Sequence, residues 1–302
     1  MADKKRLLVI GASGLLGSKI FVQAGSRYDV KGTFNPEVDG KPSWRLEPLD
    51  IGSKEEVERI FEKAGPEVVI LTAAMTNVDA CERQPLVANR VNATGPELVA
   101  RSCKKAGAKL LHVSTDYVFD GSKNRKYTEE DVPRPISVYG QSKLAGERAV
   151  LKTLPGSTVA RPAVLYGWNQ LEDKDNFVTW VLKKLKKNEK VPMFQDQRVS
   201  PTYADDLAAT LLALAEKDVA GIWHVSGPDC LDRPSCGRTI AEVFALDPGL
   251  VISVPSSSVS LPAKRPKNSC LDVSKTEKLL SKRMTTFSEG LRSMLENEPA
   301  EH

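Results

Sequence analysis

The stretch LLVIGASGLLG, residues 7–17, decides the fold that this sequence predicts. Four apolar residues, typical of a buried strand, run directly into Gly11, Gly14 and Gly17, and a helical pattern opens within this G-x-x-G-x-x-G spacing. Glycines at such a turn let the backbone approach a pyrophosphate, which then lies at the helix N-terminus, where free N–H groups and the helix dipole favour negative charge. A glycine-rich turn also occurs for packing reasons alone, but its place at the first strand-to-helix junction favours dinucleotide binding.

Short β-branched runs alternate with helical patterns through the first half of the chain. Predicted strands cover residues 7–10, 30–34, 68–71, 110–114 and 158–160, and predicted helices cover 15–24, 53–64, 91–106 and 138–153. This alternation predicts an α/β fold with a Rossmann-type doubly wound parallel sheet. Beyond about residue 162 the rhythm loosens. We therefore predict an NAD(P)-binding Rossmann domain over 1–162 and a smaller mixed α/β substrate-binding lobe over 163–302, partly interleaved with the first domain.

Composition excludes several classes of protein. Lys and Arg together number 43 against 39 Asp and Glu, an excess too small for the basic face that binds nucleic acid. No run approaches the ~18 apolar residues of a membrane span. The five cysteines are odd in number and form no C-x-x-C pair, which argues against a disulfide framework and a zinc site. We expect a cytoplasmic protein with reduced thiols, no bound metal, and neither nucleic acid nor membrane as partner.

The end of the second predicted strand bears on the choice of cofactor. A carboxylate there accepts hydrogen bonds from the ribose hydroxyls but repels a 2′-phosphate. The strand ends instead in neutral Thr33, Phe34 and Asn35, which favours NADP(H) over NAD(H), with NAD(H) still open. Asp50 and Ile51, after what reads as the next strand, suit the adenine edge, and Asp50 also suits the cap of the helix near residue 53.

A candidate catalytic group lies further along the chain. Tyr139 and Lys143 are spaced i and i+4 on a predicted helix, so their side chains share one face. Such a pair also arises by chance, but Ser114, Thr115 and Asp116 follow a predicted strand and therefore lie at the carboxyl edge of the sheet, where ligands of open α/β sheets bind. The alternative is a surface Tyr-Lys pair beside an ordinary strand-end turn.

These residue types suit hydride transfer to a carbonyl, whose oxygen needs a proton as it becomes an alkoxide. A phenol with a pKa of ~10 requires about 4 kcal/mol of differential stabilisation to work near neutral pH. A lysine ammonium within ~4–6 Å of Tyr139 would supply part of it, as Lys143 would here. Thr115 would donate or relay a hydrogen bond at the substrate oxygen.

The motifs together resemble the extended short-chain dehydrogenase/reductases, and among them the dTDP-4-dehydrorhamnose reductase family. The blocks STDYVFDG (114–121) and RPKNS (265–269) carry more of this resemblance than the glycine loop does. The resemblance implies a reductase that passes hydride from NAD(P)H to the 4-keto group of a deoxythymidine-diphosphate sugar. The resemblance is also compatible with a homodimer.

Site residues follow from the resemblance position by position. The implied catalytic residues are Thr115, Tyr139 and Lys143. The implied cofactor-binding residues are Gly11, Ser13, Gly14, Leu15, Gly17, Asp50, Ile51, Ala73, Ala74, Met75, Thr76, Tyr139 and Lys143. The candidate substrate-binding residues are Thr115, Asp116, Asn176 and Arg265. Asn176 equally suits a helix cap, and the Arg265 guanidinium suits either a diphosphate or a salt bridge between lobes.

Three departures from the family pattern limit the transfer of function. Residues 161–164 read RPAV where family reductases carry a sugar-contacting Trp, so the resemblance does not identify the sugar of the substrate. Lys19 occupies a place where one subgroup has a glutamate linked to magnesium-dependent dimer contacts, so no such metal is expected. Residues 165–167 and the neutral second strand also resemble the regulatory β subunit of methionine adenosyltransferase, an NADP-binding homologue. The alternative function is therefore a regulatory subunit that binds methionine adenosyltransferase without its own turnover.

Overall fold

The computed structural model describes residues 4–37, 44–169 and 174–299, and β-strands alternate with α-helices through its first half. The strands are β1 (Arg6–Ile10), β2 (Asp29–Phe34), β3 (Glu47–Pro48), β4 (Val68–Leu71), β5 (Lys109–Val113), β6 (Thr158–Arg161), β7 (Leu165–Tyr166), β8 (Val191–Phe194), β9 (Arg198–Val199), β10 (Thr202–Tyr203), β11 (Gly221–His224), β12 (Leu231–Asp232) and β13 (Val251–Val254). The helices are α1 (Leu15–Ala24), α2 (Lys54–Ala64), α3 (Val78–Arg83), α4 (Pro85–Asn89), α5 (Gly95–Ala106), α6 (Val138–Thr153), α7 (Phe177–Lys186), α8 (Ala204–Lys217), α9 (Arg233–Val243), α10 (Ser274–Leu280) and α11 (Phe287–Glu296).

A parallel sheet of seven strands, in the order β3-β2-β1-β4-β5-β6-β11, organises the fold. Strand β1 pairs with β2 on one side and with β4 on the other, so the strand order reverses between β1 and β4. The carboxyl ends of strands at such a reversal form the crevice where doubly wound sheets bind their ligands. The predicted Rossmann-type doubly wound sheet is confirmed.

Helices cover both faces of this sheet, which explains why its central strands are apolar throughout rather than alternating. Helix α1 packs with α8 on one face, and α2 packs with α5 on the other, each over its own buried apolar cluster. No helix of the described residues is both long and apolar enough to cross a membrane.

The second half of the chain forms another apolar cluster around α7, α9 and α11. Three two-stranded sheets pair β7 with β10, β8 with β13 and β9 with β12. Strand β11 leaves this region and pairs in parallel with β6 at the edge of the main sheet, while α8 packs on α1. The domain boundary at residue 162 stays a prediction.

Two details differ from the sequence-based expectations. The helix predicted from residue 91 begins at Gly95, preceded by a π-helical turn over Arg90–Thr94. The expectation that all cysteines are reduced is wrong for Cys230 and Cys270, which form a disulfide. They are 40 residues apart in sequence, but the fold brings their Cα atoms within 5.4 Å, a proximity that no local spacing encodes. The free thiols, Cys81, Cys103 and Cys236, are buried.

Candidate active site

The glycine loop joins β1 to α1 and has the shape that a pyrophosphate requires. A Cβ on Gly17 would lie 2.0 Å from the carbonyl oxygen of Gly11, so only glycine lets α1 approach the loop this closely. A Cβ on Gly14 would meet nothing nearer than 3.7 Å. Gly14 caps α1 without a side-chain hydrogen bond, and the first turn carries no acidic residue. This helix N-terminus therefore fits the negative charge of a dinucleotide.

The end of β2 supports the glycine loop from within. The Gly11 N–H donates to Thr33 Oγ1 at 3.2 Å, and the Ala12 N–H donates to the Thr33 carbonyl oxygen at 2.7 Å. Thr33 is 1% exposed, so it shapes the loop from the protein side. No carboxylate stands among residues 33–35, as the sequence indicated.

Asp50 is held by neighbours at the end of β3. Its Oδ1 accepts from the Gly52 N–H at 2.9 Å, and its Oδ2 pairs with Arg90 Nη1 at 2.5 Å. The alternative that Asp50 caps α2 is wrong, because the Ser53 side chain accepts from the Glu56 N–H instead.

The segment after β4, residues 73–76, is fixed to the neighbouring helix through Asn92. The Asn92 side chain pairs with Met75 in both directions, accepting from its N–H at 2.8 Å and donating to its carbonyl oxygen at 3.0 Å. Its amide also donates to Ser142 Oγ at 3.1 Å. Asn92 is fully buried and thereby links the candidate cofactor segment to α6, the helix that carries Tyr139.

Thr115, Tyr139 and Lys143 come together at the carboxyl end of β5. The Thr115 side chain lies close enough to the Tyr139 phenol to lower its pKa, although its hydroxyl donates to Asp116 Oδ1 at 3.1 Å. Lys143 Nζ donates to the Val113 carbonyl oxygen at 2.7 Å. All three are at least 92% buried. Gly140 makes the approach sterically feasible, because a Cβ there would lie 2.2 Å from the Tyr117 carbonyl oxygen.

Burial dominates the protonation of this group. It raises the pKa of Tyr139, and the neighbouring Thr115 side chain acts in the opposite direction. Burial lowers the pKa of Lys143 to about 8, offset in part by the negative charge of Glu147. Burial also raises the pKa of Asp116 to about 6, and its Oδ2 has no hydrogen-bond partner among the described residues. At neutral pH the site therefore holds a protonated phenol beside a largely charged lysine.

A buried ion pair lies behind the catalytic group, and sequence reasoning assigned it no role. Arg161 donates to Glu147 through Nε at 2.8 Å and through Nη2 at 2.6 Å, and Ser114 Oγ donates to the same carboxylate at 2.5 Å. Both ionic side chains are 1% exposed. The i+4 spacing of Glu147 from Lys143 was the available signal, because it places the carboxylate one turn further along α6.

The other two candidate substrate residues hold structural contacts. The Asn176 side chain caps α7 and donates to the Gly167 carbonyl oxygen at 2.7 Å. Arg265 pairs with both carboxylate oxygens of Asp79, at 3.2 Å and 2.7 Å. Hydrogen bonding from Arg265 lowers the pKa of Asp79. Both side chains therefore match the structural alternatives stated above, and their contact with a substrate stays a prediction.

The chain is similar to known proteins along nearly its whole length. A family model described as the RmlD substrate binding domain matches residues 5–299. A probable low-salt glycan biosynthesis reductase, Agl14 of Haloferax volcanii, is 36% identical over 290 residues, covering 95% of this chain and 96% of the relative. Methionine adenosyltransferase 2 subunit beta of Mus musculus is 33% identical over 300 residues, covering 96% and 87%. A crystal structure of dTDP-4-dehydrorhamnose reductase from Bacillus anthracis in complex with NADP has a TM-score of 0.85 at 30% identity, covering 97% of this chain and 99% of that chain.

Proposed function

The chain belongs to the RmlD substrate binding domain family, and we propose that it is an NADP-preferring reductase that transfers hydride to the 4-keto group of a nucleotide-linked deoxysugar. One observation carries the proposal: Thr115, Tyr139 and Lys143 meet at the carboxyl end of β5, on the sheet edge that carries the glycine loop. In this proposal residues 1–162 hold the cofactor and residues 163–302 hold the substrate.

Side chains of this chain donate the proton that the reaction needs and stabilise the group that donates it. A nicotinamide cofactor, held by the glycine loop and residues 73–76, supplies the hydride when bound. Tyr139 keeps its phenolic proton at neutral pH because burial raises its pKa, so it donates that proton to the carbonyl oxygen. Thr115 lies beside the phenol and favours the phenolate that forms, since it lowers the pKa of Tyr139 against the effect of burial. Lys143, one turn along α6, adds positive charge to the same phenolate.

The preference for NADP rests on the neutral end of β2. Residues 33–35 present no carboxylate that would repel a 2′-phosphate, and Thr33 is occupied in holding the glycine loop. We expect tighter binding of NADPH than of NADH when the two are titrated side by side. A clear preference for NADH would contradict this part of the proposal.

The alternative function comes from another class of protein. The relative in Mus musculus is a subunit of methionine adenosyltransferase, and its 33% identity covers nearly the whole of this chain. A regulatory subunit of that kind would bind the dinucleotide and change the kinetics of methionine adenosyltransferase without turnover of its own.

NADPH consumption against a panel of 4-keto deoxythymidine-diphosphate sugars separates the two functions. We expect turnover with at least one sugar and reduced sugar among the products. As a matched control, Tyr28→Phe removes a buried phenol at the opposite end of the sheet, before β2, and should keep full activity. No turnover with any sugar, alongside tight NADPH binding and altered methionine adenosyltransferase kinetics, would favour the regulatory function.

A further inference from the structure

Arg233, the first residue of α9, carries a partly buried guanidinium without a hydrogen-bonded acidic partner among the described residues. Its guanidinium lies over the Phe177 ring, 4.8 Å from the ring centroid. Its backbone N–H donates to the Gln197 carbonyl oxygen, but the guanidinium itself forms neither a hydrogen bond nor an ion pair with any described residue. A cation withdrawn from water without a partner is costly, so such a group indicates an anionic ligand.

The surroundings of Arg233 place it near the candidate catalytic loop. Its positive charge lowers the pKa of Asp116 and of Tyr117, although burial raises both more strongly. Arg265 also acts electrostatically on Tyr117, but both of its terminal nitrogens are engaged by Asp79. Of these two arginines beside Tyr117, Arg233 is therefore the one whose donors are free for a ligand.

The chemistry of this arginine matches a phosphoryl group. A guanidinium stacked on an aromatic ring keeps its plane fixed, and its N–H groups point outward along the edges of that plane. Such a fork binds two phosphate oxygens at once. We propose that Arg233, rather than Arg265, binds the diphosphate of the nucleotide-linked substrate. The identity of the ligand rests on the proposed function, whereas the position of the anion site rests on Arg233 and Phe177.

Binding of deoxythymidine diphosphate, without any sugar or turnover, tests this assignment. We would titrate it by calorimetry into the full chain saturated with NADP⁺, using the wild type and the Arg233→Ala, Arg233→Lys and Arg238→Ala variants. Arg238 is an exposed arginine on the same helix and serves as the control. We expect affinity to fall about 30-fold in Arg233→Ala, as for the loss of a charged hydrogen-bonding partner, and to stay unchanged in Arg238→Ala. Arg233→Lys should lie between, because it keeps the charge without the fork.

Two outcomes of this titration would overturn the assignment of Arg233. They are unchanged deoxythymidine diphosphate binding in Arg233→Ala, and no binding of the diphosphate by the wild type. If Arg233→Ala does not fold, Phe177→Leu removes only the aromatic ring under the guanidinium and should weaken deoxythymidine diphosphate binding about threefold. Unchanged binding in Phe177→Leu would also overturn the assignment of Arg233. The proposed function fails differently: no keto sugar would be reduced although the diphosphate still binds through Arg233.

Discussion

The buried pair of Glu147 and Arg161 offers the sharpest test of how the catalytic helix is held. In Glu147→Gln, Arg161 loses its ion pair and one of the two hydrogen bonds, at 2.8 Å and 2.6 Å, because the amide keeps only one acceptor oxygen, in a place where Arg161 is fully buried. Its Nη1 already has no partner among the described residues, so nothing nearby replaces them. Because removing one charge of a buried ion pair leaves the other uncompensated, the free energy of unfolding should fall by about 3–5 kcal/mol.

The same change should move the pH dependence of catalysis. Glu147 raises the pKa of Lys143 against the effect of burial, which otherwise brings it to about 8. His112 and Tyr139 are the other titratable groups that face this lysine, and burial lowers the pKa of His112, so it is neutral. Without the carboxylate, Lys143 loses its proton at lower pH, and the basic limb of the activity profile shifts to lower pH.

Two measurements separate stability from charge in this prediction. Urea unfolding gives the loss of stability, with Glu97→Gln as control, because its exposed i,i+4 pair with Arg101 contributes only about 0.3–0.5 kcal/mol. The double change Glu147→Leu with Arg161→Met should recover stability but keep the shifted pH profile. The reasoning is refuted if Glu147→Gln costs no more than Glu97→Gln, or if its pH profile matches the wild type.

The other predictions concern the protein's response to acid, reductant and glycine replacement. Burial lowers the pKa of His224 to about 3, so between about pH 6.5 and 3 only the unfolded chain binds this proton. The free energy of unfolding therefore falls as the pH falls, by about 1.4 kcal/mol per pH unit at most. In urea unfolding between pH 6 and 4.5, His224→Gln should lose less stability per pH unit than the wild type, and an equal slope would contradict the prediction. Reducing the Cys230–Cys270 disulfide should lower the free energy of unfolding by about 2–4 kcal/mol, and a variant with both cysteines changed to serine should not respond to reductant. Gly17→Ala should lose stability together with NADPH binding, whereas Gly14→Ala should lose NADPH affinity alone; equal melting temperatures for the two would be inconsistent with the close approach of α1.

Local patterns predict the sheet and its glycine loop well, for physical reasons. Each central strand is a short apolar run, and each run ends where the backbone must turn into a helix, so β4 and β6 lie within a residue of their predicted bounds. Parallel strands joined by right-handed crossovers leave few strand orders open. The i,i+4 spacing of Tyr139 and Lys143 likewise fixes their common face without any tertiary information.

Contacts between distant segments were the part that local patterns could not predict. Arg265 and Asp79 are 186 residues apart, and nothing near either residue indicates which of several arginines is neutralised. Thr33 supports the glycine loop because that loop packs against the end of β2, and the disulfide forms because the segments around Cys230 and Cys270 meet in the fold. Arg233 was missed for the same reason, because its stacking partner Phe177 lies on another helix.

Transfer of deuterium from NADPH labelled at the nicotinamide C4 tests the central claim most directly. With a 4-keto deoxythymidine-diphosphate sugar, the label should appear on C4 of the sugar, and Tyr139→Phe should bind NADPH normally while transferring it about 10²–10⁴ times more slowly, as expected when a general acid is lost. Reduced sugar without label at C4, or transfer at the wild-type rate in Tyr139→Phe, would contradict hydride transfer with Tyr139 as the proton donor.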